Sequence, residues 1–250
     1  MYPLVPWKML TTLLGLLTII AVYMDDVAGW FGWELPQAYV ARYLSLVLLA
    51  LLSGIFAPTG YWAPWRIAWR WFPHLNNLFP DLNGLWVGST NSNWPTIKRL
   101  VEAAQQGGGL TEQELHDMPE QRDAMAVQIK TSLFKLYICA GLSSTGARSY
   151  SIATKPWRQQ HTGEVHISYV YRQETPNHAI TDEETHLGAA ELIVKPGGHS
   201  RAEGTYWTRR SWKTGRNTAG KSELTRISPR LEASKTLQQH AAEHRGAPTI

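Results

Sequence analysis

Apolar positions along the chain follow two regimes that change near residue 80. Residues 5–24 (VPWKMLTTLLGLLTIIAVYM) and 38–57 (AYVARYLSLVLLALLSGIFA) are nearly unbroken apolar runs. Each spans about 20 residues, the length an α-helix needs to cross a hydrocarbon layer of about 30 Å. A buried soluble hairpin would keep a polar face, and these runs barely have one. A cleaved signal peptide is a poor fit to the first run, because its leading segment offers only Lys8 and no small-x-small cleavage motif follows. The pattern predicts two retained membrane spans within residues 1–60.

From residue 81 to 228 the period shifts to two, with turn signals between short runs, the mark of an all-β domain. Strands are predicted near residues 85–92, 125–132, 134–142, 149–154, 164–172, 186–194, 204–210 and 221–227. Eight strands suffice to close a small antiparallel β-barrel with an interior cavity. Val165, Ile167, Tyr169 and Tyr171 share one face, whereas His166, Ser168 and Arg172 share the other. The phase inverts between Ile129 and Leu136, which requires a bulge or corner near Ser132 and Leu133. An insertion breaks the strand pattern: residues 95–106 read as a helix ending at Gly107, and Thr111 with Glu114 forms a capping box for a second, short one. The domain plan is a two-helix transmembrane hairpin (1–60), an interfacial aromatic and basic linker (61–80), a barrel (81–228) and a polar tail (229–250). The tail reads either as a helix or as unstructured chain.

Charge sets the expected topology. The inter-span loop DDVAGWFGWELPQ carries Asp25, Asp26 and Glu34 but no lysine or arginine, whereas Lys8 precedes the first span and Arg66 and Arg70 follow the second. The positive-inside rule then places both termini in the cytoplasm and the acidic loop outside. YWAPWRIAWRWF (61–72) reads as an interfacial segment on the inner leaflet. Thr11 with Gly15 and Ala50 with Gly54 give each span a small-residue strip where another backbone can approach. Arg42 is expected to snorkel to the outer headgroups.

Composition narrows the function classes. Seven of the 12 tryptophans precede residue 80, and only 18% of the chain is charged, against about 25% in an ordinary soluble domain. The net charge of +4 is too mild and too dispersed for a DNA or RNA stripe. A single cysteine, Cys139, excludes an intramolecular disulfide framework and a multi-cysteine metal site; it sits in an apolar strand as an inert thiol. No nucleophile elbow, metalloprotease helix, P-loop or dinucleotide fingerprint is present. His240 and His244, four apart, and the acidic turn of Asp182, Glu183 and Glu184 have bland structural readings. The chain is therefore read as a binder and not an enzyme, with no cofactor and no metal. Arginines such as Arg172, Arg209 and Arg210 suit phosphate; Tyr169, Tyr171, Tyr206 and Trp207 suit base stacking; Thr131, Ser143 and Ser144 offer hydroxyls.

Several segments together resemble a known family. LNGLWVGS (82–89), TSLFKLYI (131–138), the serine-rich GLSSTGARSYS (141–151), ISYVYRQETP (167–176) and EGTYWTRR (203–210) follow a two-helix hairpin. This order resembles the two-transmembrane, β-strand-rich effectors of bacterial cyclic-oligonucleotide anti-phage signalling (CBASS). The resemblance implies a cytoplasmic eight-stranded barrel that binds a cyclic dinucleotide made by a partner nucleotidyltransferase of the CD-NTase type. It further implies self-association into a homo-oligomer on activation and disruption of the bacterial inner membrane, ending in abortive infection. Carried onto matching positions, it points to Tyr169, Tyr171, Arg172, Tyr206, Thr208 and Arg210, with Ser143 and Ser144. The insertion before residue 125 and SWKTGRN (211–217) exceed the family pattern. Two alternatives remain open: a membrane-anchored, lipocalin-like binder of a small apolar molecule, and a structural anchor without a ligand.

Overall fold

The computed structural model describes Thr12, Gly15, Leu16, residues 18–20, Tyr23, 29–30, Gly32 and residues 37–244 apart from Phe79, 177–182, 197–198 and 231–233. It divides into two compact units, residues 1–81 with the turn at 131–135, and the remainder. Lys8, Thr11, Asp25, Asp26, Glu34 and Asp182, on which parts of the sequence reading rest, lie outside the described residues.

In the first unit, Thr12, Gly15, Leu16, residues 18–20 and Tyr23 are helical. Helix α1 (Gln37–Leu51) runs for 15 residues and passes into a π-helical turn, Leu52–Phe56. Tyr39, Tyr43, Leu46 and Val47 are exposed on it. Among the described residues no helix is long and apolar enough to cross a membrane. Helix α2 (Pro64–Trp71) starts with proline at its first position, where the missing N–H costs nothing. Trp65 is fully buried, its indole N–H donating to Pro58 O at 2.8 Å, and it meets Trp69 edge-on at 5.8 Å. Trp62 and Trp71 are exposed instead. Arg66, one of the two arginines counted in the charge bias beyond the second apolar run, is buried and paired with Asp81 at 2.9 Å. Arg70 stays exposed, its guanidinium lying over Tyr61 at 4.4 Å.

The second unit is a closed barrel of eight antiparallel strands in sequence order, β1 closing against β8. The strands are β1 (Gly84–Ser92), β2 (Gln121–Thr131), β3 (Leu136–Leu142), β4 (Arg148–Arg158), β5 (Val165–Glu174), β6 (Thr185–Val194), β7 (Arg201–Arg209) and β8 (Ala219–Ser228). The expected corner between β2 and β3 is a tight turn, in which Ser132 N–H donates to Lys135 O at 2.8 Å and Ser132 Oγ accepts from the Phe134 and Lys135 amides. The insertion forms α3 (Trp94–Gln106), ended by Gly107 in the left-handed conformation (φ 67°), then α4 (Glu112–His116) with the Thr111–Glu114 capping box in place.

Alternation along each strand fills one half of the barrel with apolar side chains. Trp86, Ile129, Ile167, Leu192 and Leu224 are all 2% exposed or less. Trp86 donates its indole N–H to Leu82 O at 3.2 Å, which satisfies its one polar atom. Among the described tail residues, Leu237–Glu243 form a helix, α5, opened by a Thr236–Gln239 capping box. Leu85, Val87 and Ala126, on the outer face of β1 and β2, pack with Ala241 and Leu237 of this helix. Gly141 on β3 permits the approach, since a Cβ there would come within 2.9 Å of the Leu237 side chain.

A candidate ligand cavity inside the barrel

The same inward rows that build the apolar half turn polar farther along each strand. On β5, Val165 and Ile167 are followed by Tyr169, Tyr171 and Gln173; on β6, Val194 and Leu192 give way to Ala190 and His186; on β7, Ala202 gives way to Tyr206 and Thr208. The switch leaves an open cavity of about 320 Å³ above the packed half, the size of a small-molecule site.

Five of the eight residues carried over from the family resemblance line this cavity: Tyr169, Tyr171, Tyr206, Thr208 and Arg210. The Tyr169 and Tyr171 rings sit 5.9 Å apart at a 45° tilt. Burial raises both phenols far above their ordinary pKa, so they act as neutral donors. Tyr206 donates its hydroxyl to Asn91 O at 3.3 Å, which orients the ring. The Thr208 hydroxyl lies 2.9 Å from that of Thr218 and accepts from the Thr218 amide at 3.0 Å, tying β7 to the start of β8. Arg210 follows the end of β7, with its guanidinium 5.5 Å from the centre of the Trp94 ring. Burial, and secondarily Arg216, lowers its pKa, an electrostatic cost that an anion would relieve.

The other three lie elsewhere. Arg172 is exposed on the outer face of β5, opposite Tyr150; being one residue from Tyr171, it must point the other way. Arg209 and Trp207 are exposed for the same reason. Ser143 and Ser144 occupy the β3–β4 turn, and their hydroxyls donate to the Asp123 carboxylate, Ser143 at 3.2 Å to Oδ1 and Ser144 to Oδ2. Thr131 is buried at the end of β2 and does not line the cavity.

Several lining residues are not among those expected from sequence. Asp123 and Gln121 face the cavity because β2 begins four residues before its predicted start. Extending the inward phase of Val127 backwards would have found both. Trp94 comes from the insertion helix. Arg148 lines the cavity while paired with Glu174 at 2.7 Å. His186 is 3% exposed, and neither ring nitrogen has a hydrogen-bond partner among the described residues; burial lowers its pKa, partly countered by Glu183.

Cys139 is half-buried on β3, and burial raises its thiol pKa. His244 Nδ1 lies 2.9 Å from His240 O, and no cluster of metal-ligating side chains occurs among the described residues.

Residues 104–226 match the family model described as Cap15, cyclic dinucleotide receptor domain. The chain is also similar to the CD-NTase-associated protein 15 of Escherichia albertii, with 26% identity over 227 residues that cover 88% of this chain and 97% of that protein.

Proposed function

We propose that this chain, a CBASS effector by its likeness to the Cap15 cyclic dinucleotide receptor domain, converts ligand binding in its barrel into damage to the bacterial inner membrane. The observation that carries the reading is the cavity itself, where three tyrosines and Arg210 converge within the matched region. Tyrosine faces stack on bases, each worth about 1–3 kcal/mol, and a guanidinium forks onto phosphate oxygens. A lining with this many charged and hydroxyl-bearing side chains suits a nucleotide better than a small apolar molecule. The protein acts by binding, and the CD-NTase-type nucleotidyltransferase supplies its ligand.

The membrane half of the reading rests on sequence and on the exposed apolar side chains of α1. Two apolar runs insert as a hairpin with both termini in the cytoplasm. Two helices alone cannot enclose a water path, so ligand must gather several copies. The Thr11/Gly15 and Ala50/Gly54 strips then let helices from different copies pack closely.

Two measurements test this. The full chain in lipid nanodiscs should gain stability with a cyclic dinucleotide, by about 2.7 kcal/mol at 100 times the dissociation constant. Cells expressing it should take up an impermeant dye once the ligand is supplied, and a Gly54→Leu variant at matched membrane level should do so more slowly. No stabilisation by any cyclic dinucleotide would end the receptor reading. A reporter fused after Ile250 that is active only in the periplasm would end the cytoplasmic-sensor reading.

A further inference from the structure

The geometry points to Asp123 as the base-selecting residue of the cavity, and to guanine as the base it selects. The inference rests on the cyclic dinucleotide reading above and names the ligand more closely.

Asp123 is the one carboxylate among the described residues that line the cavity. A cyclic dinucleotide carries two phosphodiester charges, so a carboxylate in the same cavity repels it by Coulomb's law unless it meets hydrogen-bond donors. No described lysine or arginine pairs with Asp123. The cations lie on other walls: Arg210 follows β7, three strands away around the ring, and Arg148 on β4 is neutralised by Glu174. Phosphates are thereby drawn away from Asp123, and what remains for it is the edge of a base.

The carboxylate is held for that task. Ser143 donates to one oxygen and Ser144 to the other, so both oxygens are fixed from the β3–β4 turn. Each carboxylate oxygen has two lone-pair sites, so one acceptor site per oxygen is still available. Thr90, directly across on β1, does not compete, because its hydroxyl donates to Lys221 O at 3.3 Å. Two acceptors side by side match guanine, whose N1–H and N2–H donors are adjacent on one edge. Adenine presents a single donor, N6–H, beside the N1 acceptor, so the second oxygen would face a lone pair. The mismatch leaves a polar group unpaired, which is how sites built on hydrogen bonds discriminate most strongly.

The test uses the full chain in nanodiscs and dissociation constants for cyclic di-GMP, cyclic di-AMP and the inosine analogue cyclic di-IMP. The parent should bind cyclic di-GMP at least about tenfold more tightly than cyclic di-AMP, and should lose about tenfold for cyclic di-IMP, which lacks the N2 donor. Asp123→Asn replaces one acceptor by a donor, which suits adenine N1 and N6 and opposes guanine. It should therefore reverse the preference, changing the ratio about 100-fold or more.

An Asp123→Asn protein that weakens for both ligands equally would show that Asp123 only supports the serine turn, and the assignment would fall. Equal binding of cyclic di-GMP and cyclic di-IMP by the parent would overturn it without any variant, so a misfolded mutant does not shield it. If the parent binds cyclic dinucleotides without base preference, only this inference fails. If it binds none, the receptor reading fails and takes the inference with it.

Discussion

Gly188 on β6 stands directly opposite Tyr171 on β5, and the phenol ring of Tyr171 occupies the space that any side chain at 188 would need. With Ala190 as the next inward residue, β6 presents a wall thin enough for the ring to lie against it. The tyrosine is 6% exposed, so it is placed by this contact and by its neighbours Tyr169 and Tyr206.

Replacing that glycine tests the cavity's shape. Gly188→Ala pushes the Tyr171 ring toward the space the ligand needs. The barrel should still fold, since the atoms that must move belong to the far end of one side chain. Affinity for a cyclic dinucleotide should drop about tenfold or more, which calorimetric titration reads directly. Undiminished affinity would mean that the ligand does not use the space beside Tyr171.

Arg210 lies over the Trp94 ring at the cavity wall, whereas Arg148 is held beside Glu174. Arg210→Ala should remove a charge-assisted phosphate contact, worth about 1.5–3 kcal/mol, and weaken binding more than tenfold. Thermal unfolding of the apo protein should change little by comparison, because the guanidinium sits just past the end of its strand. Normal affinity in a folded variant would exclude Arg210 from the site.

Acid should loosen the barrel. Burial lowers the pKa of His186 and of His199, the latter also through Arg158 and Arg226. Both rings are thus favoured as neutral bases in the fold. The stabilisation is complete above the unfolded histidine value of about 6.5. It is lost as the pH falls below that value, because the unfolded chain then binds protons the fold refuses. Denaturant titrations between pH 8 and pH 5 should show that loss. His199→Asn should flatten it, asparagine being suited to the left-handed backbone there (φ 52°). A slope that His199→Asn leaves unchanged would assign the acid sensitivity to other groups.

The first unit has its own weak point. Arg66 is 2% exposed and its partner Asp81 14% exposed, at 2.9 Å. Removing the carboxylate with Asp81→Ala takes the ion-pair partner from a buried guanidinium, at up to about 3–5 kcal/mol. Limited proteolysis should then open the segment 61–80 well before the barrel. The double replacement Arg66→Met, Asp81→Leu should restore much of the resistance, since neither charge then needs solvation. If Asp81→Ala is as resistant as the parent, the pair contributes little.

Strand periodicity is a local property, and it suffices to predict eight strands and the inward phase of Val165, Ile167, Tyr169 and Tyr171. Turn and capping chemistry is local too, which is why the Thr111–Glu114 box and the Gly107 stop are legible. The same alternation puts Arg172 on the face opposite to Tyr171. The family resemblance matches residues without regard to face, and it brings Arg172 into the expected site all the same. The structure sides with the alternation, and Arg172 lies outside the cavity.

What the sequence determined by itself was the repeat of side-chain directions, because a strand alternates whatever it packs against. Ring closure, by contrast, joins residues far apart in the chain. Only the tertiary structure could bring Asp123, His186 and Arg210 into one cavity, set the Ser143 and Ser144 hydroxyls on the Asp123 carboxylate, and seat the tail helix on Leu85 and Val87. Each of those contacts depends on the register between strands. Register depends on the turn geometry and on the apolar patterns of two strands taken together, so no single strand read alone shows it.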